Sequence, residues 1–493
     1  MLLLILTTLV VYFSILYVVS RRSEGRGGND DFFRARRRSP WQLVAFGMIG
    51  ASISGVSLIS VPGWVQNTHM TYLQMCMGFI VGYFLVALVL LPLYYRLRLT
   101  SIYAYLDLRF GRTTQRAGAF FFFLSKLTGA AARLYLVVLV ITQFFGGPRG
   151  EMPLWGRVAV AAVLLILIYI YTRRSGIRTI VRTDVFQTAC MLLALAGIAW
   201  AAVSVLGLDF RGAWQMVAES PMSQVFEWDG QSRQAFWRQF LSGIFIVVVM
   251  TGLDQDMMQK NLTCRNLRDA RRNMCAYGIA FLPINALLLA LGILLYAVAA
   301  ASPLTASLTG DALLPALVAD GSLGTWVVVP FTIGVVAAAF SSADSALTSL
   351  TTSFCIDLLG IERSGYETGK AERTRKLVHA GMGAAFLACM TVFSLLNDTS
   401  IINTIYVMAS YTYGPLLGLY AFGLLTRRRV RERWVPVVAV ASPVVCGLLD
   451  FLVPRIWNYD FGYELLLING ILTFILLSLL PRERNISAKD CLA

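Results

Sequence analysis

Histidine is almost missing: only His69 and His379 occur in 493 residues. Most of the material for a transition-metal site or a Ser/His/Asp nucleophilic centre is therefore absent. Eight cysteines are present (Cys76, Cys190, Cys264, Cys275, Cys355, Cys389, Cys446 and Cys491). They form no CxxC pair and no Cys/His group, and none lies in a loop expected outside, so no disulfide framework is implied. Charge is also scarce, at 14% against about 25% in soluble domains. Apolar residues take its place, with 57% hydrophobic residues and a mean hydropathy of +0.67. Apolar runs of about 20 residues recur along nearly the whole chain, each able to cross a hydrocarbon core of about 30 Å. The expected class is an all-α polytopic membrane protein, and not an enzyme. A net charge of +15 could suggest nucleic acid. Inner loops of membrane proteins collect Lys and Arg, however, and that explains the excess better. Neither nucleic acid nor an obligate protein partner is expected.

Thirteen spans are expected, at about 2–20, 41–66, 71–95, 117–145, 157–172, 183–206, 239–258, 276–301, 326–358, 377–396, 401–425, 434–453 and 463–481. The first run has its arginines after it rather than before it, and no A-x-A site. It reads as a span with the N-terminus outside, not as a cleaved leader. Alternation then places 34 of the 42 Lys and Arg in inner loops and 6 in outer loops. The C-terminus falls inside. The longest polar gap, about 207–238, reads as an outer loop with a short interfacial helix.

Four ionisable residues fall at or near membrane depth: Lys126, Arg133, Asp184 and Asp344. Such groups are costly there and mark function by default. Asp344 sits in "AAAFSSADSALTSLTTSF". At about 100° per residue, Ser341, Ser345, Thr348 and Thr352 share one stripe with Asp344 on its flank. Back-bonding and close packing explain several of these hydroxyls. They do not explain a carboxylate, which needs a cation. Asp184 opens another span at similar inner depth; a salt bridge to Arg178 or Arg182 is its alternative reading. Carboxylates, hydroxyls and carbonyls are hard ligands suited to Na⁺. The second span, "FGMIGASISGVSLISVPGWV", is rich in Gly and Ser and is expected to break near Ile53. Transporters bind cations and solutes at such breaks. Ile53 and Ala338 fall at matching midplane depth.

In order along the chain, the broken "GASISG" helix, "TDVFQ", "GLDQDMMQKNLTCRN", "AAAFSSADSALTS" and "YTYGPLLGLYAFGLLTRR" resemble the sodium/solute symporter family. The resemblance extends over nearly the whole chain and includes the sodium-coupled sugar and sialic-acid carriers of bacteria. It implies a LeuT-type fold: a leading helix and basic loop (1–40), two inverted five-helix repeats (41–206 and 239–425) joined by an outer loop (207–238), and two trailing helices with an inner tail (426–493). It implies a first sodium site from the carbonyls of Gly50, Ile53 and Ala338 with the hydroxyls of Ser341 and Ser342. A second sodium site would use Asp184, Ser341, Asp344 and Ser345. Asp344 departs from the Ser often found there in sugar and sialic-acid carriers. The solute pocket would use Ser52, Ser54, Ser57, Gln74, Arg133 and Met250. The sugar carriers' Asn, Glu and aromatic gate correspond here to Ser52, Val56 and Met250, which argues against a plain hexose. Arg133 suits a carboxylate, although a buried Asp or a helix end could also occupy it. The expected activity is sodium-coupled import of a small organic solute, one or two Na⁺ per cycle, in the inner membrane of a bacterium. The solute would bear a carboxylate, as sialic acid does. The alternatives are a neutral sugar, polyol or amino acid, or a sensor without transport.

Overall fold

A computed structural model of the chain describes residues 2–23, 28–53, 55–145, 152–174, 176–301, 305–362, 368–396, 401–457, 459 and 461–481. Among these residues the structure is helical, with no strand. In chain order the helices are α1 (Leu2–Ser23), α2 (Asn29–Arg34), α3 (Trp41–Ser52), α4 (Gly55–Thr68), α5 (Tyr72–Leu85), α6 (Leu91–Arg96), α7 (Ala104–Phe110), α8 (Arg112–Phe145), α9 (Leu154–Thr172) and α10 (Ile177–Val205). They continue with α11 (Phe210–Glu219), α12 (Phe236–Val247), α13 (Gln255–Leu262), α14 (Leu267–Ala300), α15 (Leu313–Ala319), α16 (Val328–Ser353), α17 (Thr368–Leu396), α18 (Ile401–Leu425), α19 (Val435–Trp457) and α20 (Leu465–Leu479).

Nine of the described helices are long and apolar enough to cross a membrane. Two bent pairs raise this to eleven: α3 with α4, at 57°, and the Phe236–Gly252 segment with α13, at 64°. The first bend was expected at Ile53. The second corrects the reading of 239–258 as one straight span. Here a π turn over Val248–Gly252 ends the first half of the bent pair. Asp254 then starts α13 by accepting from the N–H groups of Asp256 and Met257 at 2.9 and 3.1 Å. An N-cap in mid-membrane restores partners to groups that lipid could not satisfy.

The loops gather at two ends. At one end Arg37 donates to the Leu99 carbonyl, Arg34 pairs with Glu362, Arg178 pairs with Asp31, and Arg109 donates to the carbonyls of Thr426 and Arg428. All are segments expected inside. At the other end the Glu227 N–H donates to Gln74, Arg238 pairs with Glu464, and Tyr296 donates to the Gly63 carbonyl. Between α10 and α12, in the loop expected outside, α11 carries Asp209 as its N-cap and leaves Phe210 and Trp214 exposed, as an interfacial helix does.

Candidate functional site

Helix α16 is buried from Val335 to Ser353, and its polar stripe divides into three uses. Ser349, Thr351 and Thr352 bond back to the carbonyls of Ala346, Leu347 and Thr348. Ser349 is satisfied within its own helix, while Thr351 also meets His379 Nδ1 at 2.8 Å and Thr352 also accepts from Gln259 at 3.0 Å. Ser341 and Ser342 reach other helices: Ser341 donates to Asp184 at 2.6 Å, and Ser342 to the Ala51 carbonyl at 3.2 Å, next to the α3–α4 break. The third use is the informative one. Asp344 Oδ1, Ser345 Oγ and Thr348 Oγ1 are buried oxygens with no hydrogen-bond partner among the described residues. Spaced i, i+1 and i+4, they fall on neighbouring parts of one face. Three hard oxygens left without protons to accept are a donor set for a small cation.

The broken helix approaches this face closely. A Cβ on Gly47 would lie 2.8 Å from Asp184 Cβ, and one on Gly50 would overlap the Thr188 hydroxyl. Only glycine lets α3 lie against α10 this closely. Beyond the break, a Cβ on Gly55 would lie 2.9 Å from the Val335 carbonyl oxygen. The structure thus brings the break, through Ala51 and Gly55, against the stretch of α16 that holds Ala338, Ser341 and Ser342. Ser54 lies outside the described residues.

Asp184 does not pair with Arg178 or Arg182. Its Oδ2 lies 2.8 Å from Lys260 Nζ, with both side chains 1% exposed. Lys260 reads in the sequence as an inner-loop cation, yet it is buried on α13. Asp344 accepts instead from the Tyr171 hydroxyl of α9 at 2.7 Å. Asp256, one turn before Lys260 on α13, acts electrostatically on both Lys260 and Asp184.

Beside the break lies a cavity of about 120 Å³. Ser52, Ser57, Arg133 and Met250 line it, with Val56, Lys126, Asp254, Tyr277 and Tyr413. Ser52 shares a hydrogen bond with the Tyr277 hydroxyl. Gln74 is not in the lining; its amide is bound to the carbonyls of Thr71 and Gln234 and to the Glu227 N–H, anchoring the loop before α12. Lys126 is doubly paired, to Asp254 at 3.2 Å and Asp256 at 2.7 Å. Tyr413 of α18 donates to the same Asp254 at 2.5 Å. Arg133 has no carboxylate partner among the described residues.

The sequence reading missed Lys260, Tyr171, Asp256 and Tyr413 as site residues. Three of them stood in quoted motifs: Asp256 and Lys260 in "GLDQDMMQK", where they read as the polar end of a span, and Tyr413 in "YTYGPLLGLY". Among the described residues no three His, Cys, Asp or Glu side chains gather as a metal cluster.

Residues 32–432 match the sequence profile of the Sodium:solute symporter family. The chain is 25% identical over 417 residues to the human sodium/iodide cotransporter, covering 81% of this chain and 62% of that protein. To the human sodium-coupled monocarboxylate transporter 1 it is 23% identical, covering 81% and 65%. To the sodium/sialic acid symporter SiaT of Proteus mirabilis (strain HI4320) it is 24% identical, covering 81% and 80%. The chain spans a little under two thirds of the length of its first three curated matches. A substrate-bound, outward-open structure of a Na⁺-coupled sialic acid symporter superposes with a TM-score of 0.81 at 19% identity, covering 98% of this chain and 99% of that one. The transporter MHP1, in a closed conformation with bromovinylhydantoin bound, gives 0.54 at 16%, covering 90% and 92%. The fold is that of the LeuT-like transporters.

Proposed function

Because the chain belongs to the Sodium:solute symporter family, we propose that it imports a small carboxylate-bearing solute by alternating access, driven by Na⁺. It spans the membrane thirteen times, with the N-terminus outside and the arginine-rich loops inside, in the plasma membrane of a bacterium. Its helices form two inverted repeats, over 41–206 and 239–425, each opening with one of the two bent pairs.

The observation that carries this reading is a charge imbalance. Four buried carboxylates, Asp184, Asp254, Asp256 and Asp344, face two buried ammonium groups, Lys126 and Lys260. Arg133 of the same cavity is set against the solute's carboxylate, so two negative charges remain uncompensated beside the first break. Two monovalent cations balance them. One is taken by the carbonyls near Gly50, Ile53 and Ala338 with Ser341 and Ser342. The other is taken by Asp344, Ser345 and Thr348, with Asp184 at the boundary. Arg133 then meets the solute carboxylate with its planar fork, while Ser52, Ser57 and Met250 shape the remainder of the pocket. Sodium joins the first break to α16 and completes the pocket wall, so solute and sodium raise each other's affinity by one factor.

Uptake of acidic solutes into proteoliposomes under a sodium gradient tests this. Arg133→Gln abolishes uptake of the acid in the proposed reading. A neutral sugar, polyol or amino acid carried at the wild-type rate by that variant would replace the carboxylate reading with the neutral one.

A further inference from the structure

A second cavity lies at the arginine-rich end and shares no lining residue with the solute pocket. Its volume is about 580 Å³, and it opens between the 35–40 segment and the start of α10. Four arginines line it, Arg36, Arg38, Arg178 and Arg182, with no acid among the lining residues. The nearest carboxylate is behind them. Asp31 is fully buried and holds Arg36 and Arg178, each at 2.9 Å, from the inner side. Those two guanidinium groups stay about one third exposed, at 35% and 32%, so they are fixed in place but still open to a ligand. Arg38 and Arg182 are exposed, and neither makes an ion pair among the described residues; Arg182 donates to the Arg22 carbonyl at 3.5 Å. Four positive charges against one negative leave a net +3.

The backbone is shaped to produce this grouping. Ala35, Arg36 and Arg37 are three consecutive left-handed residues, with φ of 47°, 54° and 51°. Side chains disfavour that conformation. The reversal sets Arg36 and Arg38 in the same cleft. The cleft's other wall is apolar, formed by Leu43, Pro40 and Val181. Leu43, on the first turn of α3, is 37% exposed. Guanidinium groups at the rim and an apolar wall beneath, at the start of two spanning helices, match a ligand that is anionic at one end and greasy at the other.

We propose that this cleft binds the phosphodiester headgroup of an anionic phospholipid from the leaflet on the arginine-rich side. Arginine forks suit phosphate oxygens, and basic pockets at this depth attract anionic lipid. The bound headgroup bridges Arg36 and Arg38 to Arg178 and Arg182, and so ties the 35–40 segment to α10. That segment runs directly into α3, the first half of the bent pair, and its Ser39 N–H is held by the Thr263 carbonyl beyond α13. The lipid therefore braces both bent pairs at their basic end.

Native mass spectrometry of the purified full chain, released from a neutral detergent, tests this with three probes: phosphatidylglycerol, phosphatidylcholine and inorganic phosphate. The wild type keeps a phosphatidylglycerol adduct that phosphatidylcholine does not match and inorganic phosphate does not displace. Arg38→Gln with Arg182→Gln weakens that adduct about tenfold or more. Arg265→Gln with Arg268→Gln removes equal charge elsewhere at the same end and leaves the adduct intact. Equal weakening by both pairs would reduce the effect to general attraction and overturn the site. Displacement by inorganic phosphate would assign the cleft to a free anion instead. Retention of the adduct by the Arg38/Arg182 variant would remove it from this cleft.

Discussion

Ser342 and Asp344 are two residues apart on α16, yet they serve different oxygens. Ser342 points to the Ala51 carbonyl at the first break. Asp344 points to Tyr171 with one oxygen and leaves the other without a hydrogen-bond partner among the described residues. Their substitutions should therefore separate. Ser342→Ala removes one hard ligand and should raise the sodium concentration for half-maximal uptake by about tenfold. Unchanged sodium dependence would take the first ion away from this position. Asp344→Asn keeps the shape and removes a charge. It should lower the steepness of the sodium dependence from near two ions to near one, and a titration with unaltered steepness would eliminate the second ion. Gly50→Ala is a structural counterpart. Its methyl overlaps the Thr188 hydroxyl, so α3 must move from α10, at a cost of about 1–3 kcal/mol. A lower melting midpoint in sodium-free buffer is the expected reading.

Helix α13 shows what a short element does inside a membrane. It has eight residues, and all are buried. Asp254 caps it, Asp256 faces Lys126, and one turn later Lys260 faces Asp184. It thereby connects the wall of the solute cavity to the cation-binding face. Lys126→Gln leaves two buried carboxylates without their cation, a change that typically costs about 3–5 kcal/mol. Adding Asp256→Asn should restore part of the loss, because one of the orphaned charges goes with it. Melting of the two single variants and the double variant checks this; additive losses would show that the pair does not interact. Much of this element was hidden from sequence reasoning, for a physical reason. Hydropathy places the spans well because lipid contact covers long apolar runs. The α16 stripe was legible because helical periodicity sorts its polar groups. A helix that breaks inside the membrane and continues with Asp, Gln, Asp and Lys looks like a span leaving it. Lys260 was read as a loop cation for that reason. Gln74 failed differently: the resemblance put it at a pocket position, but its amide is bound to Thr71, Gln234 and Glu227, which no local pattern reveals.

At the scale of the whole molecule the charge count becomes a measurable quantity. Two sodium ions moving inward with one monoanion carry one net positive charge per cycle. An inside-negative potential then favours import by about 2.3 kcal/mol per 100 mV. Proteoliposomes with a potassium diffusion potential, negative inside, should take up the acid faster than liposomes held at zero potential under the same sodium gradient. The fixed charges on the protein sharpen this expectation. In the proposed reading Arg133 offsets the solute's charge and Lys260 offsets Asp184, so Asp344 and the Asp254–Asp256 pair, which shares one lysine, carry the two charges that the cations balance. Asp344→Asn removes one of those needs. Its cycle would carry one sodium and one anion and should lose its response to potential while still transporting. A wild type indifferent to potential would disprove the two-ion count. A variant as voltage-sensitive as the wild type would show that the second charge enters through a group other than Asp344.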